Sequence, residues 1–114
     1  MTISDPQDYG LALLTEEIGE AVALFGLILQ IIGKAGRFGI DTPGVRDPLS
    51  GAMDMSVTPR TKLQEELADV RAAIDYLICR GVIDGLAVDA RASSKLQKLL
   101  DPESRDNLGR RLAP

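Results

Sequence analysis

Apolar residues recur at helical spacing along three stretches of the chain, and between the first two stretches the rhythm disappears. The first stretch opens at Asp5-Pro6, a pairing that suits an N-cap followed by the first helical position, and runs to the glycines at Gly33 and Gly36. At about 100° per residue, Leu14, Ile18, Ala21, Phe25, Ile28 and Ile32 share one stripe. Thr15, Gly19, Ala23, Gly26, Gln30 and Gly33 make the small or polar side, while Leu13, Leu24, Leu27 and Ile31 widen the apolar arc well beyond the usual width. Residues 38–58 hold Pro43, Pro48 and several glycines without a period, which predicts a long loop of the kind used as a functional flap or an interface arm. A second helix is predicted from Thr58 as N-cap and Pro59 to near Gly81, with Leu63, Leu67, Val70, Ile74 and Leu77 as its seam. A third runs from about Asp84 to Leu100, ended by Asp101-Pro102. Residues 101–114 read as a loose polar tail. No segment carries a strand signal. The expected architecture is one all-α domain over residues 1–100, a helical bundle of three main helices.

The acidic residues break this pattern instructively. Glu17 and Glu20 fall inside the widened apolar arc beside Leu13, Leu24 and Ile31, and Glu16 sits at its border. On the second helix Glu66 and Asp69 flank the apolar stripe, with Glu65 beside them. The segment "EEIGE" is thus echoed by "EELAD", each placing acids three residues apart on one helix edge. Like charges one turn apart repel, and partial burial raises the cost of keeping them ionised. Antiparallel packing would gather four carboxylates, for which a cation is the remedy. Oxygen-only ligation suits the hard ions Mg²⁺ or Mn²⁺, and magnesium's retained water and phosphate oxygens point to phosphate chemistry. The bland alternative is a pair of solvated helix edges, with Arg60, Lys62 and Arg71 neutralising the second as surface ion pairs.

Composition narrows the choices further. Of the 114 residues 45% are apolar and 26% charged, as in a globular domain. Thirteen basic residues against seventeen acidic give a net charge of −4, which argues against nucleic acid or an anionic membrane as partner. The apolar run from Ala21 to Ile32 is too short to span a bilayer, and the acidic "MTISDPQDYG" lacks the features of a signal peptide. A cytoplasmic location is expected, with the single cysteine, Cys79, as a buried thiol. There is no histidine, which removes Ser-His triads, His-ligated metals and di-iron bundles built on Glu-x-x-His.

At this point the residues carry a resemblance. "TEEIGEAVALFGLILQIIGKAGRFGID", "LQEELADVRAAIDYLICRGVID" and "KLQKL" together resemble the MazG-like all-α nucleotide pyrophosphohydrolase superfamily, with its EExxE…ExxD signature, over roughly residues 9–100. The "GKAGRFG" segment is similar to the Lys-xx-Arg-Phe-Gly pattern of small phage and bacterial members. The resemblance implies a bundle completed by forming a homodimer or homotetramer, and Mg²⁺-dependent cleavage of a nucleoside triphosphate to the monophosphate and pyrophosphate. It implies Glu17, Glu20, Glu66 and Asp69 as metal ligands, with Glu16 as a further ligand or a group orienting the attacking water. Lys34 and Arg37 would be phosphate contacts or charge compensation for the helix end. Phe38 would stack on a base or plug the core. Lys95 and Lys98 would reach the triphosphate or form the wet face of the third helix, and Asp89 is an additional acid without a placement.

The chain departs from the compact members of the superfamily in the longer interval between Glu20 and Glu66, so the loop 38–58 is expected to shape one wall of the pocket. A fourth core helix would have to come from a partner or be absent. Two other functions stay open: hydrolysis of another phosphoanhydride such as an alarmone, and a non-catalytic helical interaction module with a vestigial cation site.

Overall fold

The computed structural model describes residues 5–35, 40–47 and 50–113, with backbone alone for residues 27–35. It is mostly helical: α1 (Pro6–Ala35), a small hairpin of β1 (Val45–Arg46) and β2 (Met53–Asp54), then α2 (Pro59–Cys79), α3 (Gly85–Leu100) and α4 (Pro102–Leu112). Each helix begins on a side chain that accepts a bond from an otherwise orphaned backbone N–H. Asp5 Oδ1 accepts from Asp8 N at 2.8 Å, Thr58 Oγ1 from Thr61 N at 3.2 Å, Asp84 Oδ1 from Leu86 N at 3.0 Å and Asp101 Oδ1 from Glu103 N at 3.1 Å. Helix α2 stops where Gly81 takes φ +73, with Gly81 N donating to Ile78 O and Val82 N to Leu77 O.

Helices α1 and α2 form the packed unit, lying antiparallel. Gly10 meets Tyr76 and Leu77 at one end, and Leu24 meets Leu63 at the other, where the hairpin adds Val45 and Val57 to form the main apolar cluster. The seam of α1 is Gly10, Leu13, Leu14, Glu17, Ala21 and Leu24; that of α2 is Pro59, Leu63, Glu66, Val70, Ala73 and Leu77. The seam of α1 is rotated from the stripe expected above, whereas α2 keeps Leu63, Val70 and Leu77 of its expected stripe and loses Leu67 from it. Ile18 (46% exposed), Phe25 (40%) and Leu67 (44%) lie outside them, while Glu17 and Glu66 lie within them. The reason is small-residue packing: Ala73 is fully buried, and a Cβ on Gly10 would stand 2.5 Å from Leu77 Cδ2, so the helices approach closely along the side that carries the least bulk. Tyr9 and Tyr76 close the Gly10 end edge to face, with centroids 5.3 Å apart, and the Arg80 guanidinium lies 5.5 Å from the Tyr76 ring centre.

Three expectations are corrected. Residues 102–112 are a helix and not a loose tail, because Asp101-Pro102 caps and starts α4 as Asp5-Pro6 starts α1. The chain therefore has four helices among the described residues, with α4 following α3 directly after Asp101. The loop after α1 contains the antiparallel hairpin, Val45 opposite Asp54 and Arg46 opposite Met53, where no strand was expected. Two residues per strand are too few to show alternation. Cys79 is exposed, because it is the last residue of α2 and points away from the Ala73–Leu77 seam.

Neither α3 nor α4 has a buried residue, and the radius of gyration of 17.1 Å exceeds the roughly 13 Å of a compact chain of this length. No helix among the described residues is long and apolar enough to cross a membrane. The α1–α2 contact yields a stability test. Gly10→Ala is expected to lower thermal stability by about 1–3 kcal/mol through overpacking against Leu77, despite the better helix propensity of alanine. Gly19→Ala, where a new Cβ meets nothing within 4 Å, is expected to raise it by up to about 1 kcal/mol, both measured by denaturant unfolding.

Candidate metal centre

The antiparallel register brings the two acidic segments level with each other. Glu17, Glu20, Glu66 and Asp69 each offer a carboxylate oxygen, and these oxygens all lie within 4.8 Å of one another. Glu17 and Glu66 are half-buried in the seam, Glu20 and Asp69 exposed at its edge. Glu17 Oε2 and Glu66 Oε2 are shielded from solvent and have no hydrogen-bond partner. Such orphaned oxygens are costly, and native structures seldom keep them without a ligand. The Glu17 carboxyl is held above its ordinary value, first by burial, then by the charges of Glu20, Asp69, Glu16 and Glu66.

The donor set fits a hard divalent ion. Carboxylate oxygens within 4.8 Å of one another could together hold such an ion. Oxygen-only ligation without cysteine or histidine disfavours zinc.

Lys62 Nζ lies 3.3 Å from Glu66 Oε1 and 3.7 Å from Glu65 Oε2. The bond to Glu66 holds the ammonium above its ordinary value. It also divides the work of the Glu66 carboxylate: Oε1 faces Lys62 while Oε2 is left for the cluster.

Beside the carboxylates opens a cavity of about 820 Å³. Helix α1 contributes Glu16, Gly19, Glu20, Ala23 and Leu24 to its wall, α2 contributes Lys62, Glu65 and Glu66, and the loop between them contributes the hairpin residues and Val57. The loop is pinned at both ends. Arg60 makes a two-pronged bond to Asp41 at 2.7 and 3.0 Å, which holds the Asp41 carboxyl below its ordinary value. Arg60 N donates to Ile40 O, and Gly44 N to Val57 O.

The four acids that the resemblance implies as ligands thus lie together, and Glu16 stands on the adjoining cavity wall. Lys95 is elsewhere, on α3 against a separate shallow groove with Ala87, Val88, Arg91 and Ala92. Asp89 and Lys98 are exposed on the same helix. Arg37 and Phe38, and the side chain of Lys34, lie outside the described residues. Sequence reasoning gave Lys62 no place in the cavity, although its spacing four residues before Glu66 was available as a signal. It also missed Arg46, for which a lone arginine in a loop gives none.

Compared with known proteins, the chain matches no family model, no curated protein and no solved structure. The raised pKa of Glu17 makes a pH-dependent prediction. Without a cation, the folded state binds protons more tightly at this site than the unfolded chain does, so this contribution to stability is present below the ordinary value of 4.5 and is lost as pH rises through the raised one. Mg²⁺ or Mn²⁺ is expected to raise the melting temperature more at pH 7.5 than at pH 5. Glu17→Gln is expected to raise it without the ion and to abolish the ion-induced increase, read by differential scanning fluorimetry.

Proposed function

We propose that the protein is a divalent-cation-dependent nucleoside triphosphate pyrophosphohydrolase, converting a (d)NTP and water to the (d)NMP and pyrophosphate. The observation that carries this reading is the four-carboxylate cluster, with two buried, unpartnered oxygens and with Glu20 and Glu66 lining a cavity of nucleotide size. The MazG-like resemblance of "EEIGE" and "EELADV" supports it, since the clustered residues are those the resemblance implied. Mg²⁺, with Mn²⁺ as a substitute, is the proposed cofactor. When bound, it supplies polarisation of the phosphate oxygens and a lowered pKa for the attacking water.

The chain's own residues divide the remaining work. Glu17, Glu20, Glu66 and Asp69 hold the charge that draws a cation-bound polyphosphate to the seam. Glu16, on the cavity side of α1, accepts a hydrogen bond from the attacking water and orients it. Lys62 fixes the rotamer of Glu66 and places a positive charge in the cavity, facing the phosphates. With Glu16, Glu20, Glu65 and Glu66 on the wall, a free triphosphate would be repelled, so the substrate enters as its cation complex.

We also propose that the active form is a homodimer or homotetramer. The seam of α1 separates the cavity shoulder from an outer stripe of Leu11, Ile18, Val22 and Phe25, 40–62% exposed, and Leu86, Leu96, Leu99, Leu100, Leu108 and Leu112 are exposed on α3 and α4. Apolar surface on this scale calls for a partner, and a second copy offers the matching face.

Two measurements test these readings. A panel of ribo- and deoxyribonucleoside triphosphates with Mg²⁺ is expected to give monophosphate and pyrophosphate, and Glu17→Gln or Asp69→Asn to lower kcat/KM by roughly 10²-fold or more. No turnover of any nucleotide by folded protein, with Mn²⁺ also tried, would remove the catalytic reading. Light scattering is expected to return two or four times the 12.2 kDa chain mass, and Val22→Glu to shift it toward one.

A further inference from the structure

The hairpin side of the cavity has a different chemistry from the four-acid cluster. There Ala23 and Leu24 of α1 line the cavity together with Val45, Ala52, Met53 and Val57 of the loop, with Arg46, Asp47 and Asp54 among them. Its inner wall is firm, because Leu24 and Val45 are buried with Val57 and Leu63 packed against them. Its outer wall is adaptable. Met53 is 47% exposed, and a Cβ on Gly44 would meet Met55 Sδ at 3.0 Å and Met53 Sδ at 3.3 Å, so both thioethers lie over the bare backbone of Gly44. Gly44 has φ +109, a conformation that suits glycine and leaves this space to the two methionines. Polar groups on the outer wall are already engaged in part: Asp54 Oδ1 accepts from Ser56 N and Oγ, and Arg46 Nη1 donates to Gly51 O at 2.6 Å.

We infer that the β1–β2 hairpin holds the heteroaromatic ring of the substrate, with Met53 as the residue that sets which ring is accepted. The inference rests on the catalytic reading above and assigns the other end of the same ligand. Aliphatic side chains and a polarisable thioether favour a flat ring, through dispersion and sulfur–aromatic contact, over a sugar or a second phosphate. Arg46 also lines this cavity and offers a cation for a ring face. The four-acid cluster takes the cation-bound phosphates, which leaves the ring for the hairpin side of the cavity. The hairpin can carry selectivity without disturbing the metal centre, because it is pinned through Asp41–Arg60 and Gly44–Val57 and contributes no carboxylate to the four-acid cluster.

The test uses the full chain with Met53→Ala and Met53→Trp, the nucleotide panel, and inorganic tripolyphosphate as a ring-free competitor. Met53→Trp is expected to raise KM for nucleotides by about tenfold, most for the larger rings, with kcat kept within about twofold. Met53→Ala is expected to flatten the preference among bases. In both variants the inhibition constant of tripolyphosphate and the Mn²⁺-induced rise in melting temperature stay at their wild-type values. A wild type that is active, combined with variants whose KM is unchanged for every nucleotide or whose tripolyphosphate inhibition weakens as much as nucleotide binding, overturns this inference and leaves the catalytic reading standing. A wild type that turns over no nucleotide removes both, which distinguishes the two failures.

Discussion

Four carboxylates crowded into a helix–helix seam are an expense that two packed helices do not need for their own stability. Leucines at Glu17 and Glu66 would complete the 4-3 packing that Leu14, Ala21 and Leu24 share with Leu63, Val70 and Leu77, at no electrostatic cost. Instead the acids stand at mid-seam, raise the pKa of Glu17, and leave two oxygens without partners. A structure tolerates this only where the surroundings supply compensation from elsewhere. Here it comes from close apolar packing on both sides: Gly10, Ala73 and the tyrosine pair at one end, and the Leu24–Val45–Val57–Leu63 cluster at the other.

The remaining architecture follows from that arrangement. Because small residues draw the helices together along one line, α1 is divided into three faces with separate duties. The seam carries Glu17, the shoulder with Glu16, Gly19, Glu20 and Ala23 borders the cavity, and the opposite shoulder shows Leu11, Ile18, Val22 and Phe25 to the outside. A helix that is apolar nearly all round needs covering on more than one side, and α2 covers one. The loop after α1 completes the cavity with a hairpin too short to be stable alone, held by the Arg60–Asp41 bond and by backbone bonds at both ends.

Much of this was legible in the sequence because it depends on local rules. Thr58-Pro59, Asp84 and Gly81 mark helix ends through capping and backbone conformation alone, and the structure has them in those roles. Asp101-Pro102 carries the same signature as Asp5-Pro6, and its reading as a terminator missed α4 by attending to the helix before it and not the one after. The grouping of Glu17, Glu20, Glu66 and Asp69 was legible for a different reason: i, i+3 spacing on two helices needs only antiparallel contact to gather all four.

What the chain determined by itself, then, is the helices, their caps and the acidic edges, since each is set within a few residues of backbone. Only the tertiary structure decided the rotation of the seam, which turned Ile18 and Phe25 outward and Glu17 inward, and the position of Arg46 and Lys62 in the cavity. Periodicity defines a stripe but not its centre. The centre was settled by where two backbones can approach most closely, at Gly10 against Leu77 and at the fully buried Ala73, and that is a property of two helices together.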